Sequence, residues 1–195
     1  MAQQSPPPPG ASLPTAPPAA AGAPPRGREA VKPESKDDAL KRLYGELATA
    51  PDATAADKVV RQIELVWAQS ASPTATLLLN RALKAAGEKN YDLSLQFLDT
   101  VTELFPDWSE GFNRRAYLYV VKLEYGRALG DLRRVLALDP GNFRALEGLV
   151  QVLRTMGQDK AALDVVRTLI KAHPYSPGAQ DMLKELEEAV DGRGI

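Results

Sequence analysis

The chain contains no cysteine and a single histidine, His173. Disulfides, thiolate metal sites, a cysteine nucleophile and acylation at a lipoprotein cysteine are thereby excluded, and triad or metal chemistry loses its usual side chains. Long apolar runs are lacking too: nothing approaches the ~18 consecutive apolar residues of a membrane span. Neither charge is in excess. Outside residues 1–35 the balance is 21 basic against 23 acidic residues, so no broad field exists to hold a polyanion. No Gly-x4-Gly-Lys phosphate loop and no Gly-x-Ser-x-Gly elbow occurs, and acid pairs such as Glu187-Glu188 are neighbours on a helix and so diverge. These absences point to a protein that is not an enzyme and carries neither metal nor cofactor.

What is abundant is proline, and it is placed unevenly. Ten of the sixteen prolines fall within residues 1–33. Residues 1–34 hold no aromatic side chain, and Leu13 and Val31 are their only large aliphatics. Such a segment cannot bury enough surface to offset its chain entropy, so a disordered Pro/Ala-rich tail is expected over 1–34. Runs such as Pro6-Pro7-Pro8-Pro9 favour polyproline II, a tether of roughly 3 Å per residue. A proline ladder is also a ligand for aromatic-lined grooves, but no flanking charge pattern marks a docking site here. Met1-Ala2-Gln3-Gln4 ahead of this tail reads like the start of a mature exported chain. The expectation is a periplasmic protein whose leader lies upstream, with a cytoplasmic location as the alternative.

Order is expected from Ser35-Lys36-Asp37-Asp38, a serine followed three residues later by an acid in the manner of a capping box. Leu40, Leu43, Tyr44 and Leu47 recur at helical spacing; Pro51-Asp52 interrupts, and Val59, Ile63, Val66 and Trp67 carry a second stripe ending near Ser70. Residues 35–72 therefore form a helical pair. Ser72-Pro73 opens the next helix with an N-cap residue and a first-turn proline. No period-two alternation bounded by turns appears, so the fold is all-α.

Pro106, Pro140 and Pro174 lie 34 residues apart, twice in succession. Frames cut to this ruler, 75–108, 109–142 and 143–176, each divide into two amphipathic helices around Lys89-Asn90-Tyr91-Asp92, Leu123-Glu124-Tyr125-Gly126 or Gly157-Gln158-Asp159. The second frame shows Phe112-x2-Arg115-Ala116-x2-Tyr119, then Ala128-x3-Leu132, then Pro140. This resembles the tetratricopeptide repeat, whose pattern is Trp-x2-Leu-Gly-x2-Tyr, Ala-x3-Phe and Pro. Leu78, Ala82, Ala85, Ser94, Leu98 and Pro106 match in the first frame. Leu146, Leu149, Leu153, Ala162, Val166 and Pro174 match in the third. Arg81 and Arg115 stand where Leu is usual and Val150 where a small residue is, and each is expected to loosen one contact. The pair at 35–72 looks like a degenerate flanking unit.

The resemblance implies a right-handed α-solenoid of antiparallel helix pairs. Small residues at Ala82, Ala116, Ser94, Ala128 and Ala162 let helices approach, and Leu98, Leu132 and Val166 fill the seam. Stacked repeats leave the last one exposed, so a capping helix over 177–192 is expected, with Ser176 as its N-cap, Pro177 in its first turn and an apolar stripe of Met182, Leu183, Leu186 and Val190. The ending Gly192-Arg193-Gly194-Ile195 resembles that of exported bacterial tetratricopeptide proteins. His173, at a helix end, is expected to face solvent or the helix dipole. Gly126-x3-Gly130, among charges, is a packing feature.

Function follows from the same resemblance, since in this family the first helices of successive units line a concave face that holds peptide segments. The implied groove residues are Asn80 and Leu83 from the first unit, with Ala86 beside them. The second unit supplies Asn113, Arg114, Tyr117, Val120 and Val121, and the third Arg144, Glu147, Gln151 and Arg154. Tyr117 offers contact area with a polar tip, and Arg114 and Arg154 can grip carboxylates in two-point fashion. Relatives that clamp a chaperone's C-terminal carboxylate use a lysine and asparagines; Leu79, Leu83 and Gly148 at corresponding places argue against that mode. The partner is thus a protein or peptide of unknown identity. Self-association through the end helices is the alternative. Nucleic acid is not expected, because Arg114-Arg115 and Arg133-Arg134 are offset by Glu110, Glu124 and Asp131.

Overall fold

The computed structural model describes residues 34–70 and 72–192. Among the described residues every regular element is a helix: α1 (Lys36–Ala48), α2 (Ala53–Ala68), α3 (Pro73–Gly87), α4 (Tyr91–Leu104), α5 (Ser109–Val121), α6 (Tyr125–Leu138), α7 (Phe143–Thr155), α8 (Asp159–Ala172) and α9 (Ala179–Asp191). The tail expected over 1–34 lies outside the described residues except for Glu34, which pairs with Arg42 at 3.1 Å. The ending beyond Gly192 lies outside them as well.

Local chemistry starts these helices where the sequence signals it. Ser35 accepts from the Asp38 N–H at 3.1 Å, Asp52 from Ala55 at 2.7 Å and Ser72 from Ala75 at 3.4 Å, each satisfying a donor that the first helical turn leaves unpaired. Turns repeat as well. Lys89, Leu123 and Gly157, successive at 34 residues, all adopt left-handed backbone with φ of 59°, 61° and 71°. The following N–H returns to the helix five residues back, Asn90 to Ala85, Glu124 to Tyr119 and Gln158 to Leu153, closing the last carbonyls of α3, α5 and α7. At the other end of each unit the residue before proline leaves the helical region, with φ of −130° at Phe105, −143° at Asp139 and −141° at His173.

The next step of the ruler fails. Ser176 does not cap α9; its hydroxyl donates to Glu147 at 2.8 Å, and Gly178 in left-handed backbone (φ 73°) precedes a helix that starts at Ala179. Proline 177 offers no N–H, and the competing carboxylate takes the serine. The stripe of α9 nevertheless packs on the core, with Leu186 buried and Met182, Leu183 and Val190 against it.

The pairs α3/α4, α5/α6 and α7/α8 stack in order into a helical repeat solenoid, and α9 continues it. Ala82, Ala128 and Ala162 are fully buried, Ala116 and Ser94 nearly so, and the Ser94 hydroxyl donates to the Ala82 carbonyl at 2.8 Å. Gly111 is required by close approach, since a Cβ there would lie 2.7 Å from a Val101 methyl. Arg115 overturns the expectation that it loosens a contact. Its guanidinium donates to both Asp131 oxygens at 2.7 and 2.8 Å, to Asp99 at 2.9 Å and to Thr102 at 2.6 Å, tying α4, α5 and α6 together.

The helical pair α1/α2 does not extend this stack at its first unit. It packs on α7 and α8 and touches α5, burying Leu43, Leu47, Ile63 and Trp67 against Phe143, Leu146 and Leu169. The Asp139 carboxylate accepts from the Tyr44 hydroxyl at 2.6 Å, the Trp67 indole at 2.8 Å and the Asn142 amide at 3.2 Å. Burial first, then the Asp139 charge, pushes the Tyr44 hydroxyl far up, so it stays a donor. The Tyr44 ring fills the space a side chain at position 141 would need, which only glycine leaves free. Tyr175 donates to the Pro51 carbonyl at 2.8 Å, and Trp108 to the Trp67 carbonyl at 3.3 Å. The outer face of α3 is consequently open: Leu77 is 52% exposed, and Arg81 and Lys84 are exposed.

His173, expected at the surface or facing the helix dipole, caps the end of α8 but is buried under this arm rather than solvent-facing. It is 4% exposed, its ring edge meets Phe143 at 5.1 Å, and its Nδ1 has no partner among the described residues. Burial holds its pKa below the usual histidine value; Glu147 and Asp57 oppose that shift and Arg144 adds to it. The unfolded chain therefore takes up a proton near pH 6.5 while the folded one resists. The contribution of neutral His173 is complete above about pH 6.5 and is lost as pH falls from there toward the folded-state pKa. Chemical denaturation at pH 7.5 and 5.5 is expected to show this loss in the wild type and a reduced loss in His173→Leu; equal pH dependence in both refutes the assignment.

Candidate functional site

A groove of about 1420 Å³ opens between α2, α5, α7 and α9. Its surface is built by the 34-residue ruler. Residues at the fifth and ninth places of the second frame, Asn113 and Tyr117, point into it from α5, and Glu147 and Gln151 do so from α7. Apolar contact comes from Val120, Val121, Met182 and the two-thirds exposed Tyr117. Gly148 lies on the floor, where a Cβ would come within 3.2 Å of Leu132.

Nine of the twelve groove residues named from the sequence line this space: Asn113, Arg114, Tyr117, Val120, Val121, Arg144, Glu147, Gln151 and Arg154. Asn80, Leu83 and Ala86 do not; all three lie on α3, where Asn80 and Leu83 are exposed and Ala86 is half-buried. The groove instead gains Glu64 and Trp67 from α2, Glu110 from α5, and Ser176, Pro177, Ala179 and Met182 from the last turn and α9. Met182 was within reach of the ruler, standing one more step beyond Arg114 and Gly148. Glu64 and Trp67 were not, because their placement depends on where the arm docks.

The electrostatics differ from a set of open cationic grips. Arg114 donates to Glu110 at 2.6 Å. Arg144 lies between Glu64 at 2.9 Å and Glu147 at 3.1 Å, and Arg154 reaches Glu185 at 2.7 Å. Elsewhere Arg127 pairs with Glu124 and Arg134 with the Pro106 carbonyl. No group of three or more potential metal ligands occurs among the described residues, and no helix there is long and apolar enough to cross a membrane.

The sequence profile of the tetratricopeptide repeat matches residues 124–187, from the turn before α6 into α9. A TPR repeat-containing protein of Rhizobium etli is 33% identical over 153 residues, spanning 78% of this chain and 75% of that one. Among solved structures, the first TPR of Spaghetti (RPAP3) bound to the HSP90 peptide SRMEEVD superposes with a TM-score of 0.59 at 17% identity, over 62% of this chain and 95% of that one. The Sgt2 TPR domain from Aspergillus fumigatus gives 0.57 at 19% identity, over 63% and 84%. At these identities the two structures establish likeness of fold.

Proposed function

The chain belongs to the tetratricopeptide repeat family, and from that premise we propose that it is a non-catalytic module that holds a segment of a protein partner in the α2–α5–α7–α9 groove. One observation carries the reading. The groove, at about 1420 Å³, exceeds the roughly 300–1,000 Å³ of small-molecule pockets, and it presents Tyr117 and Val121 to solvent. Large amphipathic side chains exposed in a concavity are what a protein segment needs for affinity. The RPAP3 domain of the same fold, bound to an HSP90 peptide, supports the choice of ligand class.

A photo-crosslinking residue placed at Tyr117 is expected to trap a discrete partner in cells, and one at the exposed Arg133 on α6 is expected to trap none. Partner capture from position 133 alone overturns the groove as the site.

A further inference from the structure

We infer that the occupant is an uncharged, extended stretch from the interior of a partner chain, held by hydrogen bonds to its main chain and by one apolar side chain. The inference rests on the peptide-binding reading above and narrows it. Every arginine of the groove is neutralised within the fold, Arg114 by Glu110, Arg144 by Glu64 and Glu147, and Arg154 by Glu185. Glu110 is nine-tenths buried beside its single arginine, so displacing that pair would strand a charge. A terminal carboxylate entering here would meet Glu64, Glu110 and Glu147, which line the groove next to arginines already engaged.

The neutral polar groups are the opposite case. The side-chain amides of Asn113 and Gln151 and the Tyr117 hydroxyl line the groove and bond to no described residue. An amide offers a donor and an acceptor together, the complement of a peptide group. A helical ligand has its own N–H and C=O groups paired and cannot use them, whereas an extended segment has both to give. Tyr117, Val121 and Met182 supply the apolar seat.

The test selects ligands for the full chain from two displayed libraries of random dodecapeptides, one flanked on both sides by constant sequence and one ending in a free carboxylate. The selected peptide is then made with both ends blocked and titrated calorimetrically. The flanked library is expected to yield ligands carrying an aromatic or branched apolar residue, with Kd changing less than twofold between 50 and 500 mM NaCl, since screening weakens only charge contacts. Tyr117→Ala should weaken binding tenfold or more. Asn113→Ala and Gln151→Ala should each weaken it about three- to tenfold, the range of a single hydrogen bond, and Arg154→Ala less than twofold. Ligands from the free-carboxylate library alone, loss of binding on blocking the C-terminus, or a tenfold salt effect overturns this inference and leaves groove binding standing. No ligand from either library, or ligands indifferent to Tyr117→Ala, overturns both.

Discussion

Ala128→Arg is expected to unfold the solenoid near room temperature. Ala128 is fully buried on α6 and shares one core cluster with Ala116, Tyr119 and Leu132. The seam there is filled to the density of a crystal, so inserting a long side chain costs about 1–3 kcal/mol through displaced rotamers alone. The guanidinium adds several kcal/mol more, because it would be buried, and Asp131, one turn on along α6, is already held by Arg115. The sum approaches the whole stability of a small domain, about 5–15 kcal/mol. Gly130→Arg is the control: it adds the same charge to the same helix at a place where a Cβ has nothing within 4 Å. Urea titration followed by helical circular dichroism is expected to show collapse of the transition for Ala128→Arg and a midpoint equal to or above wild type for Gly130→Arg. An unchanged midpoint in the first variant would show that the 34-residue frame is misplaced.

Asp139→Ala is expected to free the α1/α2 arm while the stacked units persist. The carboxylate, in a residue 8% exposed, accepts from Tyr44, Trp67 and Asn142 at once. Its removal leaves the Tyr44 hydroxyl and the Asn142 amide without their acceptor, each costing about 1–3 kcal/mol where water cannot replace it, while the Trp67 indole keeps only the Tyr44 oxygen at 3.0 Å. A loss of roughly 3 kcal/mol in arm docking corresponds to about a hundredfold rise in local opening. Hydrogen exchange should accelerate by that order over 36–68 and much less over 109–138. Fluorescence should report the same event, since both tryptophans, Trp67 and Trp108, sit at this junction. Asp139→Asn, which keeps one acceptor oxygen, should fall between. Equal acceleration across the whole chain would mean that the arm and the solenoid form one cooperative unit.

The two predictions probe different kinds of information. The seam around Ala128 was legible because it is made by residues repeating at a fixed spacing, and every local device repeats with it. Proline ends α4, α6 and α8 by restricting the residue before it, and a left-handed residue closes α3, α5 and α7. The open face of α3 also leaves a trace in the sequence, where Arg81 departs from the repeat pattern. Arg81 and Lys84 stand where the later units bury Leu149, Leu118 and Val152. Their charge marks α3 as the outermost helix of the stack. Arg115 shows the limit of such reading, for the same substitution one unit later is half-buried and tied into a network with Asp99 and Asp131.

The sequence by itself determined the all-α repeat architecture, its frame and nine of the residues that line the groove, because helix periodicity, caps and the 34-residue step are local and act on each unit alike. Tertiary structure alone decided that α1/α2 crosses to the far units, that His173 is buried, and that Glu64 rather than a ligand meets Arg144. Those outcomes turn on contacts such as Tyr44 to Asp139, 95 residues apart, and Arg144 to Glu64, 80 apart. No local pattern specifies such pairs; they form because an aromatic and aliphatic face on the arm and a buried carboxylate at the solenoid's edge are satisfied only by each other.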